Sequence, residues 1–124
     1  MHARAALAYK KVFVTSAPPT RILDELYVRL LADLEAAEAA ILAGDVRAKG
    51  THTSRALAIL AELTAALDPR AAPELAENLA RLYAFASRRI SEGSAKLEAT
   101  ALAEARGVLT PIHEAFRQIV QVTP

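Results

Sequence analysis

The sequence predicts an all-α fold, an antiparallel up-down four-helix bundle with a short N-terminal helix and extended segment, and three observations carry that expectation. The composition is 53% hydrophobic but only 5% aromatic, and alanine and leucine supply most of it, which favours helices that approach closely through small side chains. Four long stretches space their apolar residues three or four positions apart, as one buried helix face requires. The breaks between these stretches are short and built on Gly, Asp and Pro, as connections between antiparallel neighbours are. A chain of 124 residues fits one domain, 1–124, divided into an N-terminal cap segment, 1–17, and the bundle, 18–121.

At the N-terminus, His2 to Tyr9 reads as a short helix. Lys10 to Ser16 alternates β-branched residues and reads as extended, with Val12 and Val14 on one side. Pro18 and Pro19 close that run, and Pro19 suits the first position of a helix, where its missing N–H costs nothing. The first long helix has the stripe Ile22, Leu23, Leu26, Tyr27, Leu30, Leu34, Ala37 and Ile41. Gly44 is placed as the left-handed residue that ends it, and Asp45 as the N-cap of its successor, so a tight hairpin is expected there.

From Val46 to Leu67 the stripe is Ala56, Leu57, Leu60, Leu63 and Leu67, while Lys49 to Ser54 is polar and forms the weakest helical stretch of the chain. Asp68 and Pro69 end this helix, and Pro73 opens the third. There Leu75, Leu79, Leu82, Tyr83, Ala86 and Ile90 form the stripe, with Glu77, Arg81 and Arg88 turned away. Gly93 is expected to end the third helix and Ser94 to cap the last. The stripe of that last helix is Leu102, Ala105, Leu109, Ile112, Phe116 and Ile119, and Pro111 inside it predicts a kink or break near Gly107 to Pro111.

Several function classes are disfavoured by the same residues. The formal charge is +1, from 15 basic and 14 acidic residues, so no large one-sign field exists to draw in nucleic acid. The chain has no cysteine, which removes disulfides, thiol catalysis and thiolate metal sites. No run of about 18 apolar residues is present, so no membrane insertion is expected, and a cytoplasmic location is the default. His2, His52 and His113 are not at metal-ligand spacing, and there is no phosphate loop, nucleophile elbow or zinc-protease motif. Glu35 with Glu38, and Glu74 with Glu77, share helix faces and read as solvation. No enzyme activity, metal or cofactor is expected.

The order of several short motifs adds a family resemblance. In the stretch Glu74 to Ile90, Ala76, Glu77, Asn78 and Leu79 run into Leu82 and Tyr83 and then into Arg88 and Arg89. This resembles the corresponding helix of the flagellar secretion chaperone FliS family. Leu60 to Asp68 resembles the family's LD-terminated helix, Ala43 to Asp45 its hairpin, and Leu26 with Tyr27 the LY of its first long helix. Tyr9, Val12 and Val14 before a proline-started helix fit its opening pattern, and Glu104 to Phe116 fits its last helix. The likeness runs from Ala8 to Ile119. The chain departs from the family pattern at Asp24 and Glu25, where apolar residues are usual, and at Val28 and Arg29, where an acidic residue and a glycine are usual.

The resemblance implies a cytoplasmic export chaperone. In that family the disordered C-terminal segment of flagellin is bound and becomes helical around the bundle, which prevents premature polymerisation before type III secretion. Such binding trades ordering entropy for apolar area buried in a groove. The resemblance implies client contacts at Leu26, Tyr27, Asn78, Leu82, Tyr83 and Arg89, and a cap over the groove from Tyr9, Val12 and Val14. For Tyr27 and Tyr83, packing in the core competes with client contact. Asn78 is expected to form an inter-helix hydrogen bond, and Arg88 and Arg89 to form a solvated face. Further partners would be other flagellar regulators or co-chaperones, with the chain a monomer or weak homodimer. The alternative is a helical-bundle adaptor, or a secretion chaperone for a different client.

Overall fold

The computed structural model describes residues 20–122, with side chains as far as residue 118. Four helices follow one another: α1 (Thr20–Ala43), α2 (Val46–Ala65), α3 (Pro73–Lys96) and α4 (Ala99–Val122). They form a ring in which α1 and α3 each pack on α2 and α4, and no diagonal pair approaches at the backbone among the described residues. Polar ties give the directions. Asp24 meets His113 while Glu38 meets Arg106, so residue numbers rise on α1 as they fall on α4. Likewise Arg89 meets Glu104 while Gly93 faces Leu102, and α3 and α4 are antiparallel too. The expected all-α antiparallel bundle is therefore what the chain forms. Tyr9, Val12, Val14, Pro18 and Pro19 lie outside the described residues.

Local chemistry sets the helix ends. Gly44 takes φ +75, and the N–H groups of Gly44 and Asp45 donate to the carbonyls of Ile41 (3.1 Å) and Ala40 (2.8 Å), which satisfies the last acceptors of α1. The Asp45 carboxylate then accepts from the Ala48 N–H at 3.0 Å, capping α2. Pro73 begins α3, with Glu74 in its first turn complementing the helix dipole.

The core is a column of Leu23, Leu26, Leu30 and Leu34 from α1, Leu60 and Leu63 from α2, Leu79 and Ile90 from α3, and Leu109 and Phe116 from α4. Tyr27 and Tyr83 occupy its middle, and their hydroxyls hydrogen-bond to each other across the diagonal of the ring. The Tyr27 ring stacks on His113 at 5.4 Å, and its centroid lies 5.8 Å from that of Phe116.

The structure corrects several expectations. Ile22 and Leu82, assigned to buried stripes, are 42% and 38% exposed, because each sits at the edge of its stripe while Leu23 and Tyr83 beside them point to the centre. The polar stretch Lys49 to Ser54, expected as the weakest helical part, lies within α2 and is tied to α3. Thr53 Oγ1 donates to the Lys49 carbonyl (2.9 Å) and lies 3.3 Å from Ser94 Oγ, and Lys49 Nζ donates to the Ser94 carbonyl (3.0 Å).

Gly93 does not end α3. It is buried inside the helix, where a Cβ would meet Leu102 Cδ1 at 2.4 Å, Ala101 Cβ at 2.8 Å and the Glu98 carbonyl oxygen at 2.9 Å. The missing side chain lets the start of α4 lie directly on α3. The helix instead ends at Lys96, with Leu97 in the left-handed conformation (φ 56), so Ser94 lies within α3 and does not cap α4. Of the kink or break expected at Pro111, the break does not occur, since α4 runs continuously from Ala99 to Val122. Pro111 and Gly107 both face solvent, so water reaches the Gly107 carbonyl that loses its donor. Lastly, Glu38 is not merely solvated, because Arg106 donates to it from Nε (2.7 Å) and from its terminal nitrogen (3.0 Å).

Candidate functional site

The four seams of the ring are not equal, and the one between α2 and α3 is the least extensive. Its outer side opens into a groove of about 400 Å³ lined by Leu57, Leu60, Ala61, Thr64 and Ala65 from α2 and Ala80, Ala84 and Ser87 from α3. Those positions repeat every three or four residues, so each helix contributes one continuous wall. Most of the lining side chains are small, which leaves the groove unfilled by the chain's own atoms. Leu60 is fully buried at its floor. The Thr64 hydroxyl donates to the Leu60 carbonyl at 2.7 Å, so it makes its hydrogen bond within its own helix. The result is a shallow apolar channel on the surface, suited to one face of an amphipathic segment.

The six residues expected to contact a client separate into two groups, and neither lines this groove. Leu26, Tyr27 and Tyr83 are 6%, 0% and 1% exposed. They present almost no surface in this structure. Asn78 and Leu82 are exposed and Arg89 is half-buried. At about 100° per residue these three fall on one stripe of α3, roughly opposite Ala80, Ala84 and Ser87. They therefore border α4 instead of α2. Asn78 makes no inter-helix hydrogen bond among the described residues, contrary to expectation, because its position points to solvent.

Arg89 is tied across that flank. Its Nε donates to Glu104 of α4 at 2.9 Å, and Glu92 lies 3.4 Å from another of its nitrogens. The Glu104 hydrogen bond raises the Arg89 pKa above the ordinary arginine value, against a smaller opposing effect of burial. Arg106 is raised in the same way by its hydrogen bond to Glu38. Arg88 is exposed, as expected of a solvated face.

A second polar cluster is built on Asp24 of α1. Asp24 accepts from the buried His113 (Nε2 to Oδ1, 2.8 Å), and Arg117 Nε lies 3.5 Å from the same oxygen. A charge at a position expected to be apolar thus becomes a tie between α1 and α4. Among the described residues no group of three or more His, Cys, Asp or Glu side chains is placed to hold a metal ion, and no helix is long and apolar enough to cross a membrane.

The groove was the part of the site that sequence reasoning missed. Its signal was present in two runs of small residues at helical spacing, Ala61 to Ala65 and Ala80 to Ser87, but alanine reads equally well as core or surface.

A family model described as "Flagellar protein FliS" matches residues 1–123. The chain is similar to the flagellar secretion chaperone FliS of Salmonella typhimurium, with 36% identity over 107 residues covering 86% of this chain and 79% of the relative. It is similar to the protein of the same name from Vibrio cholerae, at 30% identity over 116 residues, 90% of this chain and 85% of the relative. The Bacillus subtilis protein of that name is 28% identical over 114 residues, covering 92% of this chain and 84% of the relative.

Proposed function

Because the chain belongs to the FliS family of flagellar proteins, whose curated relatives are flagellar secretion chaperones, we propose that it binds the C-terminal segment of flagellin in the cytoplasm and keeps it from polymerising before export. One observation supports this reading above the others: the α2–α3 seam leaves an open apolar groove walled by small side chains. A disordered amphipathic segment that becomes helical there covers the groove and hides its own self-association face. The stripe of Asn78, Leu82 and Arg89 supplies a second contact for the same client on the opposite flank of α3, with Leu26, Tyr27 and Tyr83 holding the helices in place. Residues Tyr9, Val12 and Val14 cover the groove when no client is bound.

Calorimetry and circular dichroism with a peptide of the cognate flagellin C-terminus test the proposal. A stoichiometric complex and a gain of peptide helicity are expected, together with at least about tenfold weaker binding for Ala84→Trp, which fills the groove from an exposed position. Absence of binding heat and of co-elution would overturn it. Removal of residues 1–17 is expected to tighten peptide binding, and unchanged affinity would remove the capping role.

A further inference from the structure

The outer face of the α1–α2 hairpin carries a different chemistry from the α2–α3 groove. A groove of about 470 Å³ runs between the two helices, lined by Arg29, Ala32 and Asp33 on one side and by Arg55, Ala58 and Ile59 on the other. Both arginines are exposed, and neither forms an ion pair among the described residues. The nearby acids are already engaged. Asp33 is 9% exposed and is held by His52 Nδ1 at 2.8 Å, and Glu25, one turn before Arg29, lies 4.0 Å from Arg21. Glu62, two turns beyond Arg55 on α2, lies outside the lining. The groove therefore has an apolar floor of Ile59 with Ala32 and Ala58, a carboxylate hydrogen-bonded to His52, and one guanidinium without an ion pair on each wall.

We propose that this face is a docking surface for an acidic amphipathic segment of a partner protein, whose carboxylates pair with Arg29 and Arg55 while an apolar side chain sits against Ile59. Charge complementarity selects this occupant. A guanidinium on each wall offers forked donors that match carboxylates, and two free cations repel a basic segment. Two arginines and a small apolar floor fit a protein segment better than a polyanion backbone, which gains affinity by neutralising many charges at once. The surface is separate from the α2–α3 groove and does not depend on what occupies that groove.

The test uses the full chain and a fluorescein-labelled amphipathic peptide of Glu, Leu and Ala, with a counterpart carrying Lys at every Glu. Fluorescence anisotropy is expected to show binding of the Glu peptide that weakens as salt is raised. Arg29→Glu and Arg55→Glu are each expected to weaken it by about tenfold. The double variant is expected to bind the Lys peptide instead, which a merely unfolded protein would not do. Ala84→Trp, which blocks the other groove, is expected to leave the Glu peptide's affinity unchanged. Equal binding by the parent and the double variant, or no binding at low salt, overturns the proposal. So does a short DNA duplex that binds through the same arginines when the Glu peptide does not.

Discussion

Tyr27 and Tyr83 meet through their hydroxyls although their helices do not touch at the backbone. Side chains long enough to cross a bundle are needed to connect its opposite corners, and Tyr27 and Tyr83 do so between α1 and α3. Tyr83→Phe is expected to lower stability by about 1 kcal/mol, and the Tyr27→Phe, Tyr83→Phe double-mutant cycle to show coupling of about 0.5–1.5 kcal/mol. Urea denaturation checks this, and strictly additive losses would refute the connection. Leu82→Ala is expected to cost about 1 kcal/mol or less, because the side chain is 38% exposed and its truncation leaves no closed cavity. A loss above about 2 kcal/mol would place Leu82 in the core after all. Periodicity alone assigned Leu82 and Tyr83 to the same stripe. It identifies an apolar arc but not its centre, so edge positions are misread while Leu79 and Ile90 are read correctly. The partners of Asp24 and Glu38 were illegible for another reason: His113 and Arg106 are 89 and 68 residues away, and no local pattern connects them.

Each helix shows how far local rules determine an element. The α1–α2 hairpin was legible because Gly44 and Asp45 act within one turn of the chain they shape. The end of α3 was misread because a glycine near a helix end has two uses, conformational and steric, and Gly93 serves the second. Two glycines inside helices therefore give opposite predictions. Gly93→Ala is expected to destabilise the protein by about 1–3 kcal/mol, since the new methyl overlaps a backbone oxygen as well as two side chains. Gly107→Ala in α4 meets nothing within 4 Å and is expected to stabilise by about 0.5–1 kcal/mol through helix propensity. Thermal denaturation of both variants checks the pair, and shifts of the same sign would contradict this account of the α3–α4 contact. Pro111 makes the same point at one position, since the residue that breaks a buried helix is tolerated where solvent satisfies the freed carbonyl.

The described residues form a single ring of four helices around one column, and Tyr27 and Tyr83 reach into it from opposite helices. Loss of tertiary order and of helix is therefore expected to coincide. Tyrosine near-ultraviolet dichroism and far-ultraviolet dichroism, followed through urea in this tryptophan-free chain, are expected to give one midpoint. Separated midpoints would mean that a helix pair detaches first. The fold class was legible at this scale because four periodic stretches and short connections leave few arrangements. The groove was not, because it arises from what the α2–α3 seam lacks.

The closing contact between α1 and α4 also imposes an order in time. The hairpin of α1 and α2 needs only local encounters, whereas Asp24 and His113 must find each other across most of the chain. Loop closure makes such distant contacts slow. During synthesis α1 and α2 are expected to pair before α4 is made, and the contacts of Tyr27 with His113 and Phe116 form only once α4 has emerged. The newest part of the nascent chain thus completes the burial of one of its oldest.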